Sequence, residues 1–230
     1  MLEPIMPTAV NLKILVAHTS YQQRGGEDVA VEAEVELLRS FGHEVVEYCR
    51  DNTTIESAKP VNLLRETLWS SSSADAILNL VQERKVDVLH AHNTFPLLSP
   101  AIYWGAASAG VPVVQTLHNY RLLCAQAMFL RNGAVCEDCL GKLPWRGVTR
   151  KCYRDSTAKS AALVGMLGLH RLLGSYRNKV TRYIALSEFS KQKFVEGGLS
   201  QAKVAVKPNF ADISPPIEGP RSGALFVGRL

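Results

Sequence analysis

Two sets of side chains in this sequence could do chemistry. The first is imidazole. "HAHN" carries His90 and His92 followed by Asn93, and "TLHNYR" carries His118 followed by Asn119 and Tyr120. An imidazole can hydrogen-bond a sugar hydroxyl or a phosphate, or meet developing charge near neutral pH. His90 and His92 are also spaced like two ligands of one metal, but no third ligand is evident beside them. Each histidine can equally be a packed, hydrogen-bonded residue at a strand end. That is the reading for His90, which alternation places on the opposite face from Ala91.

The second set is thiol. Cys124, Cys136, Cys139 and Cys152 are four of the five cysteines, with eleven, two and twelve residues between them. The close pair can chelate one ion and two further thiolates would complete a tetrahedron, so a small structural zinc site is one reading. Reduced thiols packed in the loop and disulfides are the others, and an intracellular setting disfavours disulfides. "RNG" supplies a tight turn before the pair, and the surrounding loop has little apolar content of its own, so an ion would help order it. Cys49, closing "HEVVEYC", reads as a core residue at a strand end.

These residues need elements to position them. "LKILVAH" (Leu12–His18) is a near-continuous apolar run, as in parallel strands buried on both faces. A polar loop, "TSYQQRGGED", leads to a helical stretch stopped by Gly42, and "HEVVEYC" is the next strand. A long helical region runs from about Val61 to Arg84, with a break expected at Ser70–Ser73. "VDVLHAH", "VPVVQTLHN", "RYIAL" and "AKVAVKPN" read as further strands, with helical segments between them. This alternation predicts an α/β fold: an open, mostly parallel Rossmann-like sheet with helices on both faces. In such sheets ligands bind beyond the carboxyl ends of the strands. The candidate binding residues are therefore Gly25 and Gly26 after the first strand, His92 and Asn93 after the third, His118 and Asn119 after the fourth, and Ser187 after "YIAL". Paired glycines let a backbone approach a ligand, and the helix start beyond them offers N–H groups to an anion. Ser187 reads as an N-cap that can also present its helix end to a ligand.

The 230-residue chain has 47 % apolar and 20 % charged residues, which excludes a disordered chain. No apolar run reaches the length of a membrane span. Residues 1–11 lack the basic start and long apolar centre of a signal peptide and read as a loose leader, so the expected location is cytoplasmic. The formal charge of +5 reads either as a generally basic surface or as attraction to an anionic partner such as a nucleotide or lipid phosphate. No nucleic-acid-binding motif accompanies it. The expected layout is a domain over residues 12–208 with a cysteine-bearing loop at 119–155, a proline-rich linker at 209–222, and one strand of a further domain at 223–230.

Several motifs stand here in the order seen in GT-B glycosyltransferases of family 4: "DVLHAHN", "VPVVQTLHNYR", "YIALSEFSKQKF", "VKPNFAD" and "ALFVGRL". The chain resembles that family from about Leu12 to Leu230. Its cysteine-bearing loop looks like that of a subgroup tied to bacterial surface polysaccharide synthesis. The resemblance implies two Rossmann-like domains facing across a cleft, with the acceptor bound mainly by the first and the nucleotide sugar by the second. Gly228 and Arg229 match the turn that meets the donor's diphosphate, where a guanidinium can fork two hydrogen bonds onto phosphate oxygens. Gly25 and Gly26 match the loop at the cleft, and His118 matches a histidine that helps organise the transferred sugar. The implied reaction moves a sugar from a nucleotide-diphosphate sugar to a hydroxyl of a carbohydrate or lipid-linked acceptor, with retention of configuration and no cofactor required for catalysis. The family's acidic pair and phosphate-binding lysine belong to the second domain, so the chain alone is expected to be inactive, as a fragment or one subunit of a split enzyme.

Two other readings compete. One is a non-catalytic module binding a carbohydrate or a partner. The other is a different sugar-nucleotide enzyme such as an epimerase, against which the missing Gly-x-Gly-x-x-Gly speaks. Basic residues Arg171, Arg177 and Lys179 end an apolar-striped helix at 156–179. That helix packs on the sheet in one reading and touches anionic lipid at the inner face of the membrane in the other.

Overall fold

The computed structural model describes residues 10–55, 58–210, 222 and 223 of the chain. The expected strand at the C-terminus, with Gly228 and Arg229, and most of the expected linker lie outside these residues, as do residues 1–9.

The elements run β1 (Lys13–Ser20), α1 (Gly26–Ser40), β2 (Glu44–Asp51), α2 (Pro60–Leu68), α3 (Ser71–Arg84), β3 (Val88–Ala91), α4 (Ile102–Ser108) and β4 (Val113–Leu117), then β5 (Leu130–Arg131), β6 (Ala134–Val135), α5 (Arg146–Thr149), α6 (Thr157–Leu172), β7 (Arg182–Ala185), α7 (Glu188–Glu196) and β8 (Val204–Val206). Six strands form one sheet in the order β2-β1-β3-β4-β7-β8, and every pairing in it is parallel. β5 and β6 form a separate hairpin. The expected mostly parallel Rossmann-like sheet is the fold observed.

The chain steps one way only once, from β1 to β2, and the other way at every later crossover. Right-handed crossovers therefore put α1 on one face and the other sheet-covering helices on the opposite face. The core divides accordingly. Val31 and Val35 of α1 pack with Ile14 and Val16. On the other face Leu15, Leu89, Val113 and Tyr183 pack with Ile77, Ile102, Leu163 and Phe194. Alternation along the strands decides which residues join which layer.

The helix break expected at Ser70–Ser73 falls at Trp69 and Ser70, with Ser71–Ser73 already in α3. Ser70 caps α3, its side chain accepting from the Ser73 N–H at 3.3 Å. Gly105 in α4 meets α3 closely, since an added Cβ would collide with the Ala74 carbonyl oxygen. His170 in α6 is fully buried, with Nε2 donating to the Leu68 carbonyl at 2.9 Å and Nδ1 2.8 Å from Ser175 Oγ. The expected helix at 156–179 is two pieces: α6, capped by Ser156, and a π-helical turn at Ser175–Lys179 beyond Gly174, whose φ is +71°.

One expectation is corrected. Cys49 is exposed, not a core residue. It lies in β2, which forms the outer edge of the sheet, so alternate side chains there point to solvent.

Candidate functional site

The reversal of strand order lies between β1 and β3, and their carboxyl ends open a crevice there. Backbone bonds set its floor. The Thr19 N–H donates to the Asn93 carbonyl at 2.7 Å, and the Asn93 side-chain amide donates to the Thr19 carbonyl at 2.9 Å. Asn93 Oδ1 accepts from the Phe95 N–H, so this residue is committed to holding the two strand ends together.

The loop from β1 to α1 is tied down by Asp28. One carboxylate oxygen accepts from His18 Nε2 at 2.9 Å and from the Tyr21 N–H at 3.2 Å, and the other accepts from the Gly25 N–H at 2.7 Å. His18 Nδ1 accepts from the Asn93 N–H, which fixes Nε2 as the protonated nitrogen. Burial pushes the Asp28 carboxyl up, but the bonds from His18, Gly25 and Tyr21 outweigh it and hold the acid below its ordinary range. Gly25 precedes α1 in extended conformation. A Cβ added at Gly26 would meet no atom within 4 Å, so the protein leaves the helix start open on that side.

Three imidazoles form the back wall. His92 Nδ1 lies 2.9 Å from His118 Nε2, with the rings stacked at 5.3 Å between centroids. His90 lies behind them, its Nε2 2.8 Å from Thr116 Oγ1. Burial is the main reason all three resist protonation. His90 is lowered to about 4, with Lys207 adding to the effect, and His118 to about 4, with His18, His90 and Lys207 adding to it. His92 is held well below its usual value by burial and by the neighbouring histidines. At neutral pH the wall is uncharged, and each ring can both donate and accept.

Glu27, Asn119 and Arg121 complete the rim. Glu27 Oε2 accepts from the Tyr21 hydroxyl at 2.8 Å and from the Asn119 amide at 3.4 Å. Burial raises its carboxyl, although the Tyr21 bond and the nearby Arg121 guanidinium oppose the rise. The Arg121 guanidinium packs over the Phe95 and Tyr153 rings at 5.2 and 5.3 Å. Its Nη1 is buried without a protein partner. A cavity of about 40 Å³ lies among Glu27, His92, His118, Asn119 and Arg121.

Of the residues expected from sequence, Gly25, Gly26, His92, Asn93, His118 and Asn119 therefore converge. Ser187 follows β7 on the same edge of the sheet and acts as the cap of α7, its Oγ accepting from the Ser190 N–H at 3.1 Å. Sequence reasoning passed over Glu27, Asp28, Tyr21, Arg121 and Glu34. Asp28 had a usable signal, an acid in the first turn of a helix that follows two glycines. Glu34 is the acid near the His90–His92 pair that the sequence did not reveal, with ligand atoms of all three within 4.8 Å of one another. A metal there would compete with the Lys207 ammonium, 3.2 Å from Glu34 Oε1, and with the His118 and Thr116 contacts of the two histidines. The four loop cysteines lie away from this wall and line a second, smaller cavity.

A doubly wound sheet with a hydrogen-bonding crevice at its switch point offers a candidate site for a polar ligand. The sequence matches the Glycosyltransferase Family 4 profile over residues 24–215, and the chain belongs to that family. No curated protein sequence matches it. Solved structures that resemble it include S. aureus MnaA in a co-structure with UDP, at 16 % identity and a TM-score of 0.49, covering 86 % of this chain and 44 % of that one. Anabaena Alr3699/HepE in complex with UDP-glucose is also similar, at 14 % identity and a TM-score of 0.44, covering 88 % of this chain and 45 % of that one. The chain thus spans less than half the length of these proteins.

Proposed function

We propose that this chain is the acceptor-side domain of a retaining, two-domain GT-B glycosyltransferase. The enzyme would use a nucleotide-diphosphate sugar and build a bacterial surface polysaccharide or glycolipid. The observation that carries the reading is the His92–His118 pair, with His92 buried and His118 half-buried, both neutral and lining the same cavity as Glu27 of α1, in a chain of family 4.

Transfer needs a held leaving group, an oriented acceptor and stabilisation of charge as the bond to diphosphate breaks. His118, oriented by His92, supplies a neutral hydrogen bond to a hydroxyl of the sugar in transit. The open backbone at Gly26 admits ligand against the first turn of α1, whose N–H groups favour negative charge. Glu27 and Arg121 offer an acceptor and a donor to the same space. Gly228 and Arg229 are proposed to meet the donor diphosphate, and the rest of that grip belongs to the second domain. No step assigned to the crevice calls for a metal. The proposed setting is the inner face of the cell membrane, with a lipid-linked acceptor. Among the described residues no helix is long and apolar enough to cross a membrane.

The test is transfer of labelled sugar from a panel of nucleotide-diphosphate sugars into the lipid and polysaccharide fractions, using the gene's full product and the 230-residue chain in parallel. Transfer is expected from the full product only. Turnover by the 230-residue chain alone would contradict the division of labour, and absence of transfer by the full product with every donor would contradict the reaction.

A further inference from the structure

The loop between β4 and α6 contains a feature that sugar transfer leaves unexplained. Cys124 stands in a turn where its N–H donates to the Tyr120 carbonyl at 2.8 Å and its carbonyl accepts from the Ala127 N–H at 2.9 Å. Cys136 follows the β5–β6 hairpin directly, and Cys139 lies in the next turn. Cys152 follows α5, with its N–H donating to the Gly147 carbonyl at 2.9 Å. These three separate pieces of chain bring all four thiols to the wall of one cavity of about 20 Å³, room for roughly one water-sized body. No disulfide joins them. Gly147 permits the approach, because an added Cβ would sit 2.8 Å from Ala125 Cβ, beside Cys124.

Part of the loop joins the main core through Leu123, Ala125 and Phe129, but the hairpin that carries Cys136 is thinly supported. That hairpin has two residues per strand, and Leu130 and Val135 are exposed. Six non-glycine residues, Ala127, Phe129, Asn132, Lys151, Arg154 and Asp155, have φ between +49° and +75°. Such backbone persists only where the surroundings over-determine it. Charge points the same way. Four thiolates around a divalent ion carry a net charge of about −2, and the same cavity is lined by Arg131 and Arg150. The Arg150 guanidinium lies 3.9 Å from Cys136 Sγ.

We propose that Cys124, Cys136, Cys139 and Cys152 bind one structural zinc ion that fixes this loop. An all-sulfur tetrahedral set suits zinc or iron–sulfur chemistry. The small cavity favours a single ion over a cluster. Among the described residues no three of these sulfurs lie within 4.8 Å of one another, so binding requires their side chains to rotate inward. Each thiol that binds gives up its proton, so loading releases up to four protons per ion and weakens as pH falls. The consequence reaches the crevice through Tyr153, next to Cys152, whose ring carries the Arg121 guanidinium.

Metal analysis of the purified chain under reducing conditions tests this. About one zinc per chain is expected, and cobalt added to the chelator-stripped chain should give the intense near-ultraviolet band of a cobalt thiolate. Cys139→Ser should lose the zinc while Cys49→Ser keeps it. The cobalt band on the unmutated chain keeps the test independent of whether Cys139→Ser folds. Four freely titrating thiols that take up neither metal, iron in place of zinc, or two disulfides in the freshly isolated protein would each overturn the proposal.

Discussion

At the crevice, strands β1, β3 and β4 of the main sheet bring the residues together, and neighbouring strand ends hold one another through pairs such as Thr19 and Asn93. In the cysteine loop the residues come from turns, a two-residue hairpin and a single helical turn. The crevice would keep its shape with no ligand present, because parallel pairing and a buried apolar layer on each face fix it. The loop shares that layer through Leu123, Ala125 and Phe129, while its hairpin stands outside it. The loop leans on α7, where Leu123 packs against Gly197 and Lys193 pairs with Glu137 at 2.9 Å, and on the proposed ion. A site can thus be preorganised by fold or by ligand, and the two kinds respond differently to mutation, pH and chelation.

The largest predicted stability effect separates them. Stripping the zinc, or Cys139→Ser, should lower the melting temperature by about 10 °C and raise amide exchange across the 119–155 loop, leaving strand amides of the main sheet protected. Exchange rising equally in both regions would mean that they unfold as one unit. Next is Asp28→Ala, which strips His18 and the N–H groups of Tyr21 and Gly25 of their common acceptor. A loss of about 2–3 kcal/mol is expected, measured by denaturant unfolding, with zinc content unchanged.

Acid should act on the crevice and on α6. The imidazoles of His90, His118 and His170 are lowered to about 4 in the fold, chiefly by burial. Unfolded histidine takes up its proton near pH 6.5, so between about pH 6.5 and 4 the unfolded chain binds more protons than the folded one. Stability is therefore full above that window and falls as pH drops through it. The depressed Asp28 carboxyl adds to the loss at the acid end. Melting curves at pH 7.5, 5.5 and 4.5 check the sign, and a melting temperature that is flat or rising toward acid would contradict it. The smallest expected stability effects come from Gly26→Leu and Cys49→Ser, each within about 0.5 kcal/mol of the parent. Gly26→Leu fills space that only a ligand would use, so it should weaken sugar transfer while leaving folding alone.

The sheet was legible because its strands are apolar runs buried on both faces and its helices are punctuated by glycine or serine. The ends of "HAHN" and "TLHNYR" then placed His92 and His118 correctly, since strand ends in a parallel sheet share one edge. Contacts between distant parts of the chain were not legible. Glu34 faces His90, Arg121 rests on Tyr153, and nothing local in the sequence encodes either meeting. Cys49 failed for the same reason. An apolar run does not reveal whether its strand is central or at the edge, and β2 is at the edge.

The crevice wall is proposed to be the working surface of a sugar transferase. The most direct measurement is the transfer rate of the gene's full product carrying His118→Ala, with the melting temperature taken alongside. The account predicts a rate lower by about 100-fold or more at nearly unchanged stability. Transfer at the parent rate in a folded His118→Ala protein would contradict it.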